Sequence, residues 1–341
     1  MLVISSGDGT GINFVRSLRR AGAYRTIGLD TSFDNHLTSE ADVRYFVPVI
    51  EELIDTVNKV STTESVELVY AADTDEALDV VSRQRERLST PTFLPDLDDH
   101  LLVEDKWRTH QRLQEAGLAV PDTTLVRCEQ DLADALARHE RVWLRRVTGS
   151  GGAGSLATDS LALAIAWVDA ARGWGEFTAA EQLTRRTATF SGVWWDGELV
   201  ASQLRERTSW KYAHLSPSGV TGITSGQKTL WDEELHELAV ASIRATVARP
   251  HGAIGVDFTY HQDGRALVTE VQPARFYSSM EFLAAVGINL PDVYCRLALG
   301  RPLPPGPLLN PVRTEQYWFK AVDKLPMLMS AEEVHRIARV G

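Results

Sequence analysis

The stretch "RRVTGSGGAGS", residues 145–155, has the residue types of a ligand-binding loop: two arginines end an apolar segment, and four glycines follow within six positions. Glycine has no Cβ, so backbone N–H groups in such a run can curl around a ligand at close range, and phosphate most often uses this geometry. Arg145 and Arg146 would add positive charge to the loop. The pattern therefore predicts a phosphate-binding loop, with a flexible Gly/Ser surface linker as the alternative.

A second set of candidate residues lies in "GVDFTYHQDGRALVTEVQPARF", residues 255–276, whose pattern predicts a β-hairpin with a turn at "QDG". The two strands bring Asp257 near Glu270 and Gln272, and the last two share a face because they lie two residues apart on a strand. Oxygen ligands grouped in this way suit Mg²⁺, which commonly bridges nucleotide phosphates. The alternative is a set of solvated carboxylates on an exposed sheet face.

The beginning of the chain, "MLVISSGDGTG", also carries a glycine-rich turn. Gly7, Gly9 and Gly11, followed about twenty residues later by Asp30, resemble the fingerprint that binds the pyrophosphate and ribose of a dinucleotide. The spacing is G-x-G-x-G instead of G-x-G-x-x-G, which moves the last glycine away from the position of helix–strand packing. We therefore expect a turn that faces a substrate or a neighbouring domain, with NAD binding as the less favoured alternative.

The elements that must position these residues fall into two patterns. Strands and helices alternate over residues 1–96, beginning with the strand "MLVISS" and the helix "INFVRSLRRAG", which predicts a doubly wound parallel α/β domain. Prolines and acidic residues then cluster without periodicity in "STPTFLPDLDD", which indicates a domain boundary. Helices and antiparallel hairpins follow, including a helix from Lys106 to Glu115 and a hairpin turn at Asp196-Gly197. The fold class expected is therefore a multidomain combination of α/β and α+β parts.

Composition excludes several classes of protein. The net charge of −11, from 35 Lys and Arg against 46 Asp and Glu, argues against nonspecific binding of nucleic acid or an anionic membrane. Cys128 and Cys295 offer neither a disulfide framework nor zinc-ligand spacing. The first residues do not read as a signal peptide and no apolar run is long enough for a membrane span, so we expect a cytoplasmic protein. A homodimer is the commonest oligomer and is expected as the default.

Taken in order, these features resemble the ATP-grasp enzymes, in particular those similar to the carbamoyl-phosphate synthase large chain. Four landmarks carry the resemblance: Lys106 in "DKWRTHQRLQEAGLAVPDT", the loop in "WLRRVTGSGGAGS", the short segment "AEQL", and the hairpin that ends in "EVQPARF". The resemblance covers about residues 1–300. It implies three parts: a pre-ATP-grasp domain at 1–96, lobe A with a glycine-rich lid at 97–180, and lobe B with a metal site at 181–310. The tail at 311–341 is proline-rich and then apolar, and we expect it to be a C-terminal strap packed on the fold.

The resemblance also implies roles for individual residues, with ATP and Mg²⁺ as cofactors and Mn²⁺ as the alternative metal. Metal ligands would be Asp257, Glu270 and Gln272, although Gln272 replaces the asparagine of the family's E-x-N-P-R element. Arg145 stands where the family often has a lysine, and Arg275 lies one position after the place of the arginine in the E-x-N-P-R element. The resemblance implies that both residues act in catalysis. Glu181 and Leu183 match the hinge whose backbone reads the adenine edge. The implied nucleotide contacts are Lys106, Arg145, Gly149, Ser150, Gly151, Gly152, Gly154, Glu181 and Leu183.

The substrate side is indicated by charge. Arg205, Arg207 and Lys211 in "QLRERTSWKYAHLSPSGVTG" form a candidate carboxylate clamp, or else part of a solvated polar loop. Ser278 and Ser279, after the metal strand, are expected near the transferred phosphoryl group. The resemblance implies a ligase that joins a small-molecule carboxylate to an amine through an acylphosphate. The alternatives are a small-molecule kinase on the same fold and a nucleotide-binding protein without turnover.

Overall fold

The computed structural model describes residues 1–72, 76–149, 152, 154–219, 223–321 and 327–338. The strands among these residues form one parallel sheet and two antiparallel sheets, which confirms the expected combination of α/β and α+β parts. None of the described helices has the length and apolar character needed to cross a membrane.

The first sheet is the parallel sheet predicted for the beginning of the chain. Its four strands have the order β3-β2-β1-β4, and each neighbouring pair is parallel. Helix α1 begins after Asp8, whose carboxylate caps the Gly11 N–H, and it ends before Gly22 at φ 66°. The elements are β1 (Leu2–Ile4), α1 (Gly9–Ala21), β2 (Ile27–Asp30), α2 (Phe33–Thr38), β3 (Val43–Phe46), α3 (Leu53–Glu64), β4 (Val69–Ala71) and α4 (Glu76–Arg83).

The second sheet is a small antiparallel sheet with the strand order β5-β8-β6-β7. The helix predicted from Lys106 to Glu115 is confirmed as α6, and Asp105 caps its first turn by accepting from the N–H groups of Trp107 and Arg108. The elements of this part are α5 (Leu97–Glu104), α6 (Lys106–Glu115), β5 (Thr123–Val126), α7 (Glu129–Arg138), β6 (Val142–Arg146), β7 (Leu156–Thr158), α8 (Leu161–Ala170) and β8 (Phe177–Glu181).

The third sheet has seven described strands in the order β13-β12-β9-β10-β11-β14-β15. Both predicted hairpins are present, and Asp196 (φ 54°) and Gly197 (φ 90°) make the turn between β9 and β10. Within the C-terminal segment 311–341, two strands extend the edge of this sheet. The elements are β9 (Thr187–Trp195), β10 (Glu198–Trp210), β11 (Thr224–Leu230), α9 (Glu233–Thr246), β12 (Gly252–Tyr260), β13 (Ala266–Gln272), α10 (Met280–Ala285), α11 (Leu290–Ala298), β14 (Gln316–Phe319), β15 (Met327–Ser330) and α12 (Ala331–Ala338).

One hydrophobic core joins the first sheet to the segment that follows β13. Phe14 on α1 stacks on Tyr70 at a centroid distance of 3.9 Å, and Phe276 and Tyr294 pack around this pair. Arg16 on the same helix also makes an ion pair with Glu281 on α10. The loop and helices after β13 are therefore held against the N-terminal sheet, while the exact domain boundaries stay a prediction.

Candidate functional site

The glycine-rich loop after β6 is positioned by Lys106. The Lys106 backbone N–H donates to the carbonyl of Val147 (2.8 Å), and its ammonium donates to the carbonyl of Gly149 (2.5 Å). Gly149, Gly152 and Gly154 have φ values of 95°, 74° and 71°, a region that favours glycine. Ser150 and Gly151 lie outside the described residues. The loop and the predicted phosphate lysine are thus brought together.

Arg145 connects the small sheet to the metal-site hairpin. Its guanidinium donates to the carbonyl of Thr269 on β13 (2.8 Å), next to Glu270. Burial lowers the pKa of Arg145, and the neighbouring Glu270 carboxylate opposes that shift. Lys106, Arg145 and Glu270 line one small cavity, whose other lining residues are Val103, Thr109, His110, Leu113, Pro121, Val268, Thr269 and Val271. This cavity lies where the sequence predicts the nucleotide.

The predicted adenine hinge is the connection from β8 to β9. Glu181 ends β8, and its carboxylate accepts from the N–H of Asp122 (2.9 Å). The Glu181 N–H itself donates to the carbonyl of Asp122, and the carbonyl of Leu183 accepts from the side chain of Gln182. Glu181 is thus the last residue of the small sheet and Leu183 lies in the connection to the large sheet, and their role at the adenine edge stays a prediction.

The three predicted metal ligands share one face of the large sheet. Asp257 lies directly opposite Glu270, and Gln272 lies opposite Gly255, so all three side chains point the same way. The Oε1 atom of Gln272 is buried and has no hydrogen-bond partner among the described residues. A buried amide oxygen of this kind is suited to bind a cation. Asp257, in contrast, accepts from the Thr189 hydroxyl and pairs with Arg207. Glu270 and Gln272 therefore suit Mg²⁺ better than Asp257 does.

Arg205 and Arg207 lie on strand β10, so the solvated-loop alternative is wrong for them. Arg205 is 2% exposed and its guanidinium donates to Gln227 Oε1 on β11 (3.0 Å). Burial, the largest cause, and the positive charge of Arg207 together lower the pKa of Arg205 to about 9. Sequence patterning missed the burial because β10 continues well beyond the apolar residues that predicted it. Lys211 follows the end of β10 and its N–H donates to the carbonyl of Ile223.

The segment after β13 covers this part of the sheet. Arg275 is 8% exposed, and the preceding Ala274 adopts φ 66°, which turns the chain. The carbonyl of Ser278 accepts from the ammonium of Lys320 (2.7 Å), and Ser279 Oγ is buried without a partner in the described structure. This segment thus brings Tyr277 over Arg205 and the Ser278 carbonyl to Lys320.

The first βα turn is filled by the protein itself. Asp30 accepts from the Ser6 hydroxyl (2.6 Å) and from the Gly7 N–H (3.0 Å). A Cβ built on Gly7 would lie 1.7 Å from the carbonyl oxygen of Asn35, and one on Gly11 would lie 2.2 Å from that of Ser5. These glycines permit close backbone packing, and a Cβ on Gly9 would lie 3.6 Å from Ser278, so the turn faces the segment after β13, in line with the expected neighbouring domain.

Comparison with known proteins identifies the architecture. No protein-family model matches the sequence, and a search of curated proteins finds no match. Biotin carboxylase of Campylobacter jejuni, solved as a β,γ-ATP complex, matches with a TM-score of 0.72 and 15% identity over 93% of this chain and 74% of its own. N5-carboxyaminoimidazole synthetase of Staphylococcus aureus, solved with ADP, matches with a TM-score of 0.72 and 14% identity over 94% of this chain and 82% of its own.

A third structure is the biotin carboxylase domain dimer of the Hydrogenobacter thermophilus 2-oxoglutarate carboxylase, solved with MgADP, ADP and bicarbonate. It matches with a TM-score of 0.69 and 13% identity over 93% of this chain and 73% of its own. These proteins are ATP-grasp ligases. The chain has the ATP-grasp fold.

On the ATP-grasp fold of this chain, Lys320 is a candidate site residue that sequence reasoning missed. It follows β14, and its N–H donates to the carbonyl of Ser225 on β11. Burial, followed by the charges of Arg205 and Arg16, lowers the pKa of Lys320 to about 8. In the sequence, Lys320 stands out as a single lysine at the end of the apolar run "YWF". No local pattern shows which strand of the sheet this run pairs with.

Another cluster with metal-binding residue types lies on helices α4 and α5. Asp79 on α4 and His100 and Glu104 on α5 place ligand atoms within 4.8 Å of one another. Both Asp79 oxygens accept from Arg83 Nε, at 2.7 and 2.8 Å. This cluster was not predicted from the sequence and does not include any of the expected Mg²⁺ ligands.

Proposed function

We propose that the protein is an ATP-dependent carboxylate–amine ligase that forms an amide or peptide bond through an acylphosphate and releases ADP and phosphate. The observation that carries the proposal is the charge order along one face of the large sheet. The carboxylate of Glu270 lies at one end, the ion pair of Asp257 with Arg207 lies between, and the cation of Arg205 lies towards the other end. A nucleotide held at the acidic end by metal would thus deliver its phosphoryl group towards a basic acceptor site.

The nucleotide end uses residues that the structure already groups together. Lys106 and Arg145 bring positive charge to the cavity where the phosphates would lie, and Glu270 and Gln272 would hold Mg²⁺. Bound Mg²⁺ would neutralise charge on the transferring phosphoryl group. The loop from Gly149 to Gly154 would close over the phosphates and exclude water, which protects an acylphosphate from hydrolysis. The ATP and MgADP complexes of the similar structures support this assignment.

The acceptor end favours a carboxylate over an alcohol. Arg275, which follows the Glu270 strand, is at least nine-tenths buried, and a buried cation needs an anionic partner. A carboxylate oxygen attacks the γ-phosphorus, the bond from that phosphorus to the bridging oxygen breaks, and ADP leaves. The amine nitrogen then attacks the acyl carbon, phosphate leaves, and the nitrogen loses a proton to solvent. We assign Arg275 to the acceptor or the transferring phosphoryl group, because it follows the Glu270 strand directly.

Hydroxylamine trapping tests this function. With ATP, Mg²⁺ and a panel of carboxylic acids, hydroxylamine should replace the native amine and give a hydroxamate, ADP and free phosphate. Glu270→Ala should abolish turnover because it removes the carboxylate best placed to hold the metal. Arg275→Ala should reduce turnover more than it weakens ATP binding. Glu198→Ala, an exposed carboxylate on β10 of the same sheet, is the matched control and should leave the rate unchanged.

Two other outcomes would replace the proposal. A stable phosphorylated product, formed with ADP but without free phosphate or hydroxamate, would establish a small-molecule kinase. Tight ATP binding without ADP formation from any acid, alcohol or amine would indicate a nucleotide-binding protein without turnover. Small-molecule acid and amine partners follow from the ligase proposal, while the cytoplasmic location and the homodimer remain predictions.

A further inference from the structure

The basic end of the sheet face contains two cations without a carboxylate partner. Arg205 on β10 and Lys320 after β14 make no ion pair within the part of the chain that the structure describes. Of the carboxylates nearby, Asp257 pairs with Arg207, and Glu281 pairs with Arg16 and Arg20. Arg205 lowers the pKa of Lys320, which shows that the two charges repel each other. An anion between them would relieve this repulsion.

Hydrogen-bond donors around these cations are also unused. Arg205 Nε, Gln227 Nε2, the Tyr277 hydroxyl and Ser279 Oγ are buried and have no hydrogen-bond partner among the described residues. Gln227 lies between the two cations, because it pairs with Arg207 on one side and with Trp318 of β14 on the other. Buried polar groups are normally hydrogen-bonded, so a cluster of unsatisfied donors beside unpaired cations indicates a binding site for an anion.

This site is too far from the nucleotide end to hold the carboxylate that reacts. Glu270, Asp257, Thr189 and Arg205 lie opposite one another on four neighbouring strands. Three strand spacings separate the first from the last, which is roughly 14 Å at the backbone. Lys320 is attached two strands further along the sheet. The reacting carboxylate must meet the γ-phosphate near Glu270, so an anion bound by Arg205 and Lys320 belongs to a second group of the substrate.

We propose that the acid substrate carries a second anionic group, a carboxylate or a phosphate, and that Arg205 and Lys320 bind this group. This inference rests on the proposed ligase function and adds the substrate class to it. Gln227 and Ser279 donate further hydrogen bonds to the same group. Tyr277 lies over the Arg205 guanidinium, 5.5 Å from ring centroid to guanidinium carbon, and its buried hydroxyl without a described partner donates to the same anion.

The test compares acids that differ by one anionic group. Hydroxamate formation is measured with succinate, glutarate and adipate, and with butyrate, valerate and hexanoate of matching chain length, and 3-phosphonopropionate represents a phosphate-bearing acid. We expect kcat/KM for the best dianionic acid to exceed that of its monoanionic partner by roughly tenfold to hundredfold, the effect of one charged hydrogen-bonded contact. A preference for the phosphonate over every dicarboxylate would assign the second group as phosphate, and the reverse would assign it as carboxylate.

Two variants connect that preference to the residues. Arg205→Gln and Lys320→Gln should bring the ratio of kcat/KM between dianionic and monoanionic acids down towards one, mainly through a higher KM for the dianion. Arg205→Lys keeps the charge and should retain part of the preference, which separates charge recognition from a failure to fold. Lys228→Gln is the matched control, because Lys228 lies on β11 nearby but its ammonium pairs with Glu315.

The outcomes distinguish this inference from the ligase function itself. Equal use of both acids, unchanged in Arg205→Gln, would overturn the second anionic group while the ligase function stands. If no acid yields hydroxamate, the ligase function is wrong. Thermal unfolding with Mg·ADP and each acid then tests the anion site independently of the ligase function. A stabilisation by glutarate that valerate does not give and that Arg205→Gln removes would support the site. Equal or no stabilisation by the two acids would overturn it.

Discussion

The molecule has two glycine-rich turns after buried strands, and they use glycine for opposite reasons. In the first turn, a Cβ on Gly7 or Gly11 would lie 1.7 or 2.2 Å from a backbone oxygen, so glycine is required by close packing. In the loop after β6, a Cβ on Gly149 would meet nothing within 4 Å among the described residues, and its φ of 95° favours glycine. Backbone atoms of the protein fill the space beside the first turn. The described residues leave open space beside the second turn, next to Lys106 and Arg145.

The difference shows why glycine spacing alone is a weak signal of nucleotide binding. Both stretches follow a strand and both could cradle a phosphate by composition. Only the loop after β6 combines open space with neighbouring cations, since the Asp30 carboxylate already takes the Gly7 N–H of the first turn. The comparison therefore favours the second turn for the proposed ATP site and a packing role for the first turn.

The largest effect expected is the loss of packing in the first turn. Gly7→Ala places a methyl group against the backbone of Asn35, which cannot move away without shifting α2. We expect the free energy of unfolding to fall by about 3 kcal/mol or more, measured by urea denaturation. Gly9→Ala is the control, because its Cβ would lie an ordinary 3.6 Å from Ser278. Equal stability of the two variants would show that the turn has room for a ligand.

Ligand binding gives the next largest effect. At 100 times its Kd, Mg·ATP should stabilise the native protein by about 2.7 kcal/mol, measured as a thermal shift. NADH at the same concentration should produce no shift, because the space beside Gly7 is taken by the protein. Stabilisation by NADH and not by Mg·ATP would reverse the roles of the two turns.

A smaller loss is expected from the carboxylate that closes the first turn. Asp30→Ala leaves the Ser6 hydroxyl and the Gly7 N–H without their acceptor in a fully buried position. The free energy of unfolding should fall by about 2 kcal/mol, with no change in the Kd for Mg·ATP measured by calorimetry. Asp34→Ala, an exposed residue on α2, serves as the control. Wild-type stability combined with weaker nucleotide binding would mean that Asp30 contacts a ligand.

The smallest effect on stability is expected in the open loop. Gly149→Ala forces a Cβ into positive φ and should cost about 1 kcal/mol of unfolding free energy. Gly175→Ala is a matched control, since Gly175 has φ 85° and, in the part of the chain that the structure describes, also has nothing within 4 Å of its Cβ position. The two variants should lose similar stability, but only Gly149→Ala should raise the KM for ATP. If the two variants have a similar KM for ATP, the loop does not take part in nucleotide binding.

The amino-acid sequence by itself determined the local elements and the acidic end of the site. The alternation of strands and helices predicted the parallel sheet, and the periodicity of "KWRTHQRLQE" predicted α6, because these patterns act over a few residues. The pairing of Asp257 with Glu270 was also predictable, since a short turn at "QDG" sets the register of one hairpin. Lys106 and Arg145 were predicted as site residues by resemblance, and the structure brings both to one cavity.

Only the tertiary structure decided what lies at the basic end of the site and what fills the first turn. Lys320 reaches Ser278 because β14 pairs with β11, strands about ninety residues apart in the chain, and no local pattern specifies that partner. Arg205 is buried because strands on both sides and Tyr277 above cover it. Gly7 is closed off by Asn35 of α2, 28 residues later. Each result depends on contacts between distant segments, whose free energy exists only once the chain has folded.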